Sequence, residues 1–569
     1  MAVAQPAVMA SEPSCPHLET RHGVRQLIVD GKPFLILGGE LHNSSSSSRE
    51  YMKPIWPRLV EKKLNTVLAA VSWEQIESEE GKFDFSSVDS LIEDARRNKM
   101  HLVFLWFGSW KNGESSYPPA WVKTDPQRFP LAQNDKGKTL NILSTFGDAT
   151  VDADARAFAA LMRHIREMDG KEHTVLMMQV ENEVGTIGDS RDRSPAANEA
   201  FGKPVPRELM DYLQQHKDTL APELCKLWAT NGFKTSGTWE EVFGPGKPAS
   251  VKLYGDDLTQ ERKDVLWRQL SWPVDEIFMA WRYSAFVNKV AAAGKAEYDI
   301  PMYVNAWLQQ PGCPRPGEYP SGGPVPQVHD IWRFGALSLD FLSPDLYIPQ
   351  FSETCERFTR NGNPLFIPEA DPGPQSAANA LTALLKFNAI GFSPFGIDGR
   401  FRMQPADATN AVSADPLAGT YAVLDYLAPD ILQNQGNGTI GLLPVAADTN
   451  APPQEIKLGN YTIKIGIGVP PRWGSQITSS TTNSFPKRLV IGLGPDEFIF
   501  VGGGGMSASF TADTPGPKTV HWLSFDESIL VDGRWVPGRR LNGDETGDNS
   551  RWPFMRGLSI YRVKVYRHD

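Results

Sequence analysis

The feature that most constrains the fold is an alternation of short apolar runs and amphipathic helical patterns over the first 435 residues. Near-continuous apolar runs separated by helices are typical of parallel strands that are buried on both faces. Eight runs have the length and composition of such strands: 34–39, 66–71, 102–107, 175–180, 302–305, 341–343, 365–368 and 389–393. Eight units of this kind predict an α/β fold, a closed (β/α)8 TIM barrel.

Helical patterns lie between several of these runs. They cover residues 51–63, 87–98, 152–168, 275–293, 377–387 and 420–432. In the third pattern Ala153, Ala157, Leu161 and Ile165 recur every four residues, which predicts a helix with one apolar stripe against a core. The connection between the fourth and fifth strands is long and rich in Pro and Gly, which predicts an insertion over one end of the barrel.

The pattern changes after residue 435. Helical periodicity gives way to short alternating segments at 455–467, 488–501, 518–523 and 558–566, with Gly-rich turns such as 502–505 between them. This pattern indicates an all-β, sandwich-like domain. The sequence therefore predicts a disordered leader over residues 1–20, a barrel over 21–435 and a C-terminal β-domain over 436–569.

Composition excludes several classes of function. The net charge is −10 and no Lys/Arg stripe is present, so no nucleic-acid partner is expected. No window approaches 18 apolar residues, so no membrane partner is expected either. The sequence has no CxxC or HExxH motif, which predicts neither a metal nor a cofactor. The first 15 residues do not form a secretion signal, so the compartment stays open with the cytoplasm favoured. A homo-oligomer also remains open.

Two of the predicted strands end in acids. The fourth ends in Glu181, Asn182 and Glu183, and the seventh ends in Glu369. A carboxylate at the end of an apolar strand loses solvation, which is costly unless the group is hydrogen-bonded or has a catalytic role. Acids just past a strand are, however, also common surface residues. Side chains at the carboxyl ends of barrel strands converge on one face. Two carboxyl groups about 5 Å apart are what retaining cleavage of a glycosidic bond requires.

Three boxes carry a family resemblance. Gln179-Val-Glu-Asn-Glu-Val-Gly185 resembles the QxENEYG box of glycoside hydrolase family 35, in barrel clan A. Gly38-Gly-Glu-Leu-His42 is similar to the GExH motif of that family. Residues 71–85, Val-Ser-Trp-Glu-Gln-Ile-Glu-Ser-Glu-Glu-Gly-Lys-Phe-Asp-Phe, resemble its WxxHEPxxGxYDF stretch, which is also close to one in family 42. Together with the strand that ends in Glu369, the matching stretches are spread over residues 34 to about 400.

The resemblance implies a β-galactosidase-like enzyme, a retaining exo-β-glycosidase that acts by double displacement. Glu183 would be the acid/base and Glu369 the nucleophile. Asn182 would bind the hydroxyl next to the reacting carbon, and Tyr347 would set its hydroxyl against the nucleophile.

Other aromatic and polar residues at strand ends are candidates for substrate contact. They are Glu40, His42, Trp73, Trp110, Asn305 and Trp307. Each has a structural alternative, since Trp is also a common core residue and Glu40 could pair with His42. The weaker candidate Asp398 follows the eighth strand.

The sequence also departs from the family 35 pattern. Ser109 stands where that family has a Glu that grips galactose hydroxyls, and five serines at 44–48 replace aromatic and Arg residues. Because hydroxyl-specific hydrogen bonds decide specificity, these changes leave the sugar open. Hydrolysis of another β-glycoside, transglycosylation and a noncatalytic carbohydrate-binding barrel remain alternatives, and the C-terminal domain has no assignable chemistry.

Overall fold

The computed structural model describes residues 15–253, 259–266, 269–399, 415–445, 452–467, 485–503, 506–541, 543–546 and 558–569. Residues 1–14 of the predicted leader and the end of the predicted turn at 502–505 lie outside the described residues. The chain divides into two compact units. The first comprises Met1–Glu19, Gln26–Phe34 and Ala70–Phe341, and the second Thr20–Arg25, Leu35–Ala69 and Leu342–Asp569.

The strands up to residue 394 form three sheets. They are β1 (His17–Arg21), β2 (Val24–Val29), β3 (Lys32–Phe34), β4 (Ile36–Glu40), β5 (Thr66–Ser72), β6 (His101–Phe107), β7 (Leu131–Gln133), β8 (Thr139–Leu143), β9 (Val175–Val180), β10 (Met302–Trp307), β11 (Phe341–Leu346), β12 (Phe366–Ala370) and β13 (Gly391–Pro394). A small sheet holds β1 to β3, β7 pairs with β8, and the other eight form a closed barrel in the order β10-β11-β12-β13-β4-β5-β6-β9.

The predicted (β/α)8 barrel is therefore confirmed, and each predicted strand corresponds to one barrel strand. Strand β9 covers the predicted range and all its residues are buried. Strand β10 continues past its predicted end to Trp307 through Ala306. Strand β11 continues past its predicted end to Leu346 across Asp345, which is polar but buried. Hydrophobicity alone ends such a strand too early.

The α-helices that accompany these strands agree with most of the predicted patterns. They are α1 (Arg49–Met52), α2 (Trp56–Glu61), α3 (Trp73–Ile76), α4 (Ser86–Arg97), α5 (Ala120–Lys123), α6 (Asp148–Asp169), α7 (Pro195–Phe201), α8 (Arg207–Gln215), α9 (Pro222–Thr230), α10 (Trp239–Phe243), α11 (Gln260–Leu266), α12 (Pro273–Glu297), α13 (His329–Gly335), α14 (Phe351–Phe358), α15 (Ser376–Leu381) and α16 (Pro416–Asn434). Short 3-10 helices cover Ser45–Ser47, Lys217–Thr219, Pro326–Val328 and Arg360–Gly362, and a π-helix covers Thr382–Lys386.

Two helical details have clear local causes. The pattern predicted as one helix over 51–63 is two helices, α1 and α2, because Pro54 between them has no amide hydrogen to continue a helix. Helix α12 packs closely on α6 at Gly294, where a Cβ would lie 2.3 Å from the Phe158 ring. Among the described residues no helix combines the length and apolarity needed to cross a membrane.

The described residues of the C-terminal region form an all-β domain, as predicted, apart from the short helix α17 (Gly543–Thr546). Its strands are β14 (Ile440–Pro444), β15 (Gln454–Leu458), β16 (Tyr461–Ile467), β17 (Lys487–Gly494), β18 (Glu497–Gly502), β19 (Met506–Ala512), β20 (Thr519–Val531), β21 (Arg534–Arg540) and β22 (Ser559–His568). One sheet has the order β14-β17-β18-β22-β20-β21 and the other β15-β16-β19.

These two sheets share one apolar core, which makes the domain sandwich-like. The Phe498 ring of β18 contacts Tyr461 of β16 and Phe510 of β19, with centroids 5.8 Å and 5.2 Å apart. The predicted segment 455–467 is a hairpin, since Gly459 turns the chain with a φ of 57° between β15 and β16.

Candidate active site

The chain leaves β9 through an unusual turn. Glu181, Asn182 and Glu183 follow the strand directly, and all three are buried. Glu181 and Glu183 have φ angles of 63° and 44°, in the left-handed region that non-glycine residues avoid. Each such residue costs about 1–3 kcal/mol and persists only where its surroundings hold it. The turn that carries Glu183 is therefore held by specific contacts.

Hydrogen bonds to neighbouring turns supply these contacts. The Glu183 backbone N–H donates to the Asn305 Oδ1 of β10 over 2.9 Å. The Glu183 carbonyl accepts from the Gly113 N–H over 3.0 Å. The buried Lys111 ammonium donates to the Asn182 Oδ1 over 3.0 Å. The structure thus brings together the predicted residues Asn182, Glu183 and Asn305, and adds Lys111, which the sequence did not single out.

A pair of buried carboxyl groups lies behind this turn. Glu181 accepts from the Trp110 backbone N–H over 2.8 Å. Asp154 of α6 accepts from the Trp106 Nε1 over 2.9 Å, and from both the backbone N–H, over 3.0 Å, and the hydroxyl of Ser109. Burial raises the pKa of both carboxyl groups, and the charge of Asp154 raises the pKa of Glu181 further. Both the backbone N–H and the hydroxyl of Ser109 therefore donate to Asp154 inside the protein.

Two aromatic candidates for substrate contact, Trp73 and Trp110, also lie inside the protein. Trp73 and Trp110 both have fully buried side chains. The Trp73 Nε1 donates to Glu77 over 2.7 Å, and the Trp110 Nε1 donates to the Leu143 carbonyl over 3.1 Å. The Trp73 ring packs edge-on against Trp121 and the Trp110 ring edge-on against Phe286, so these positions support the core alternative. Trp307, at the end of β10, is half-buried.

In the second unit, Glu369 lies near the end of β12 and is buried. Its Oε1 accepts a hydrogen bond from the Tyr347 hydroxyl, which follows β11. Asp345 of β11 is the Cα partner of Glu369 in the parallel pairing. Burial raises the pKa of Tyr347 and the Glu369 charge raises it further, so the phenol remains a donor at neutral pH. The predicted residues Tyr347 and Glu369 are in direct contact.

The end of β4 carries Glu40 and, two residues later, His42. Glu40 is buried and its carbonyl accepts from the Ile397 N–H over 3.0 Å. The His42 Nδ1 lies 2.8 Å from the Asp398 Oδ1, and the Asp398 Oδ2 accepts from the Ser45 hydroxyl over 2.6 Å. Asp398 thereby orients the His42 ring, and one serine of the run at 44–48 holds Asp398.

Two family models match the chain. Residues 42–365, more than half of the 569, match the glycoside hydrolase family 42 model, described as β-galactosidase. Residues 417–551 match a model described only as a domain of unknown function, DUF5597. Family 42 is the second of the two families that the sequence motifs resemble.

Curated relatives match a smaller part. The chain is 28% identical over 204 residues to a β-galactosidase of Xanthomonas manihotis, covering 33% of this chain and 30% of the relative. It is 27% identical over 189 residues to the human β-galactosidase-1-like protein 3, covering 32% of this chain and 26% of the relative. The matches thus span less than a third of these relatives. A crystal structure of a β-galactosidase from Rahnella sp. R3 has a TM-score of 0.43 at 14% identity, covering 70% of this chain and 57% of that one.

Proposed function

The chain belongs to glycoside hydrolase family 42, the β-galactosidase family, and from this membership we propose that it is a retaining exo-β-glycosidase that hydrolyses terminal β-galactosides. The observation that carries the proposal is that two parallel barrel strands end in buried acids, Glu183 after β9 and Glu369 in β12. The carboxyl ends of parallel barrel strands open at one end of the barrel, where barrel enzymes bind their substrates.

In the proposed mechanism Glu369 attacks the anomeric carbon while Glu183 protonates the leaving oxygen. The glycosidic C–O bond breaks as the Glu369 ester forms, and the aglycone leaves as an alcohol. Glu183, now ionised, takes a proton from water, whose oxygen displaces Glu369 from the sugar. Two inversions at the same carbon return the β anomer.

The hydrogen bonding of Glu369 supports its role as the nucleophile. Tyr347 donates to Oε1, while the buried Oε2 accepts no hydrogen bond within the described part of the chain. A buried carboxylate oxygen without a donor is costly in a resting protein. An oxygen that bonds to carbon during the reaction has to be kept free of donors, and Oε2 meets that requirement.

Asn182 supports a role in substrate binding in the same way. Its Oδ1 faces the Lys111 ammonium, which can only donate, so this contact fixes the orientation of the amide. The buried Nδ2 then has no acceptor among the described residues. A sugar hydroxyl beside the reacting carbon would accept from Nδ2. We propose that Asn182 binds the substrate through that atom.

Galactose is proposed because it is the sugar in the family's description. The contacts of Ser109 are also compatible with a different sugar. The Ser109 hydroxyl donates to the buried Asp154 and is therefore turned away from any ligand. A hydroxyl that family 35 grips through a Glu would need another partner here. The preferred substrate therefore has to be tested against neighbouring β-glycosides.

The test is a panel of nitrophenyl glycosides with the first product anomer followed by NMR. We expect turnover of the β-galactoside, the β anomer as the first product and no turnover by Glu369→Ala. Glu276→Gln, which changes a buried acid of α12, is the matched control and should turn over normally. The α anomer as first product would establish inversion and longer carboxyl spacing. No turnover of any glycoside would favour a binding protein, and new glycosides formed with an added sugar acceptor would indicate transglycosylation.

A further inference from the structure

We propose that Glu181 and Asp154 share one proton, held on Glu181, and that this pair is a positioning device for the turn that carries Asn182 and Glu183. The inference rests on the proposed function, because the position that it explains is that of the proposed acid/base. Neither carboxyl group has a role in the bond-breaking steps above.

The donors around Asp154 identify which group is ionised. Its Oδ1 accepts from the Trp106 Nε1, and its Oδ2 accepts from the Ser109 N–H and hydroxyl. Three donors to one buried carboxyl group favour the carboxylate. Asp154 can therefore accept from Glu181 and has no proton to give it.

The surroundings of Glu181 favour the acid form. One oxygen, Oε2, accepts from the Trp110 N–H, and the other, Oε1, accepts from no donor in the described part of the chain. Oε1 lies beside Asp154 at Gly108, where a Cβ would be 2.6 Å from this oxygen and 2.9 Å from the Asp154 Oδ1. A proton on Oε1 gives that buried atom a partner, since it can then donate to Asp154.

Among the described residues, no basic group pairs with Glu181 or Asp154 to stabilise a second negative charge. Within the described residues neither carboxyl group forms an ion pair, since Lys111 binds Asn182, and Arg156, on the helix of Asp154, pairs with Glu77 over 3.4 Å. The other side chains that face the pair are the neutral Trp106 and Ser109. Burial raises the pKa of both carboxyl groups, which agrees with one shared negative charge.

The pair reaches the site through two adjacent turns. Glu181 holds the Trp110 N–H, and the Trp110 carbonyl accepts from the Asn182 N–H over 3.4 Å. Lys111, the next residue, holds the Asn182 side chain. The pair thus links α6, the turn after β6 and the left-handed turn at 181–183. Loss of this link would release Glu183 from its strained backbone conformation.

Because the proton is placed on Glu181, two nearly isosteric variants, Glu181→Gln and Asp154→Asn, should differ in their effect on kcat. In Glu181→Gln the amide oxygen accepts from Trp110 and the amide N–H donates to Asp154, as the protonated acid does. We expect this variant to keep at least about a third of the wild-type kcat. In Asp154→Asn the new NH2 group must face at least one of the three donors to Asp154, and that donor is left without an acceptor. An unsatisfied buried donor costs about 1–3 kcal/mol. We therefore expect kcat to fall roughly 5- to 150-fold, with a smaller change in KM.

Ser109→Ala removes one donor and is the second variant if Asp154→Asn does not fold; its kcat should fall about 2- to 10-fold. Equal losses in Glu181→Gln and Asp154→Asn, or a loss confined to Glu181→Gln, would overturn the assignment. A wild-type kcat in Ser109→Ala would also count against it.

A measurement that needs no activity separates this inference from the proposed function. Because folding raises the pKa of Glu181 above its ordinary value of 4.5, the stabilisation is complete below that pH and is lost as the pH rises towards the folded-state pKa. The Tm of the wild type should therefore fall relative to that of Glu181→Gln as the pH rises. Parallel Tm curves would overturn the shared proton. Diverging curves in a protein without glycosidase activity would refute only the proposed function.

Discussion

The ends of β9 and β12 each present an acid, and the two acids are held in different ways. Glu183 follows β9 in a strained turn whose backbone is bonded to Asn305 and Gly113. Glu369 lies within the regular strand β12, and its carboxyl group is held directly by Tyr347. The first region thus fixes the backbone that carries the acid, and the second fixes one oxygen of the acid itself.

This difference suits the two proposed roles. An acid/base exchanges a proton with two successive partners, the leaving oxygen and water, so its carboxyl group has to keep one position through both steps, which a fixed backbone provides. A nucleophile needs one oxygen oriented and the other free, which a single phenol hydrogen bond provides. Changes near β9 should therefore act through geometry, and changes near β12 through the reactivity of the carboxylate.

The largest expected effect comes from exchanging the acids themselves. Glu183→Gln should lower the turnover of an unactivated glycoside by about 10²- to 10⁴-fold, the usual contribution of a general acid. Glu369→Gln removes the covalent route and should lose more. With an activated nitrophenyl substrate and azide, the small Ala variants should recover turnover with opposite stereochemistry. Glu369→Ala should give the α-glycosyl azide by one inversion, and Glu183→Ala the β-glycosyl azide by two.

NMR of the azide products checks the assignment. The opposite pairing of anomer and variant would reverse the two roles. The same anomer from both variants would refute them. Either result would also overturn the comparison of the two strand ends. Glu276→Gln is the control for loss of a buried acid elsewhere.

The barrel could be predicted because its strands are buried on both faces. Every residue of β9 is buried, so the strand appears in the sequence as one uninterrupted apolar run. The C-terminal domain was predictable as a class but not strand by strand. In β19 Met506, Ala508, Phe510 and Ala512 alternate with Ser and Thr, but two of these four apolar residues are alanines, so the contrast in hydrophobicity along the strand is small.

The site was predictable where a residue ends a strand, and unpredictable where it depends on contacts between distant segments. Glu183 and Glu369 follow from strand position, but the contact of Glu181 with Asp154 joins residues on different elements. One signal was present: Asp154 lies in register with the apolar Phe158, Leu161 and Ile165 on the buried face of α6. A carboxylate on such a face requires a buried partner. The burial of Trp73 had no comparable signal, because Trp occurs both in cores and in sugar sites.

The next effect tests the direct hold on Glu369. Tyr347→Phe removes the phenol that donates to Oε1 and leaves the ring. A hydrogen bond to a charged group contributes about 1.5–3 kcal/mol, so we expect kcat/KM to fall roughly 10- to 150-fold. Tyr426→Phe, which removes the hydroxyl that contacts Ser528 over 3.1 Å, is the matched control. An unchanged rate in Tyr347→Phe would show that the carboxylate does not depend on its phenol.

A smaller effect is expected from the backbone hold on Glu183. Asn305→Ala removes the acceptor of the Glu183 N–H, a neutral hydrogen bond worth about 0.5–1.5 kcal/mol, so kcat should fall about 2- to 10-fold. Asn288→Ala is matched to it, since the Asn288 Oδ1 accepts the Ser338 N–H over 2.8 Å away from both strand ends. Steady-state kinetics of both variants decide the point. A loss larger than that of Tyr347→Phe would reverse the order that the comparison predicts.

The smallest effect on rate concerns Glu276, a buried acid at neither strand end. It accepts from the Tyr319 hydroxyl over 2.6 Å and from the Gln327 amide over 3.2 Å, and burial raises its pKa to about 7. The ordinary pKa of Glu276 is 4.5, so the free energy of unfolding of the wild type decreases as the pH rises from about 4.5 through about 7. The Gln side chain in Glu276→Gln does not titrate, so this variant lacks that decrease.

The Tm of the wild type should therefore drop relative to that of Glu276→Gln across this interval. The Gln side chain can keep both contacts, because the Gln327 amide can flip to accept from it. The pH profile of kcat should stay as in the wild type, since the hydrogen bonds of Glu276 come from Tyr319 and Gln327 and not from the turn of Glu183 or from Tyr347. A changed pH profile of kcat would mean that Glu276 of α12 also influences the catalytic steps. The difference between the two strand ends would then no longer be enough to explain the pH dependence of kcat.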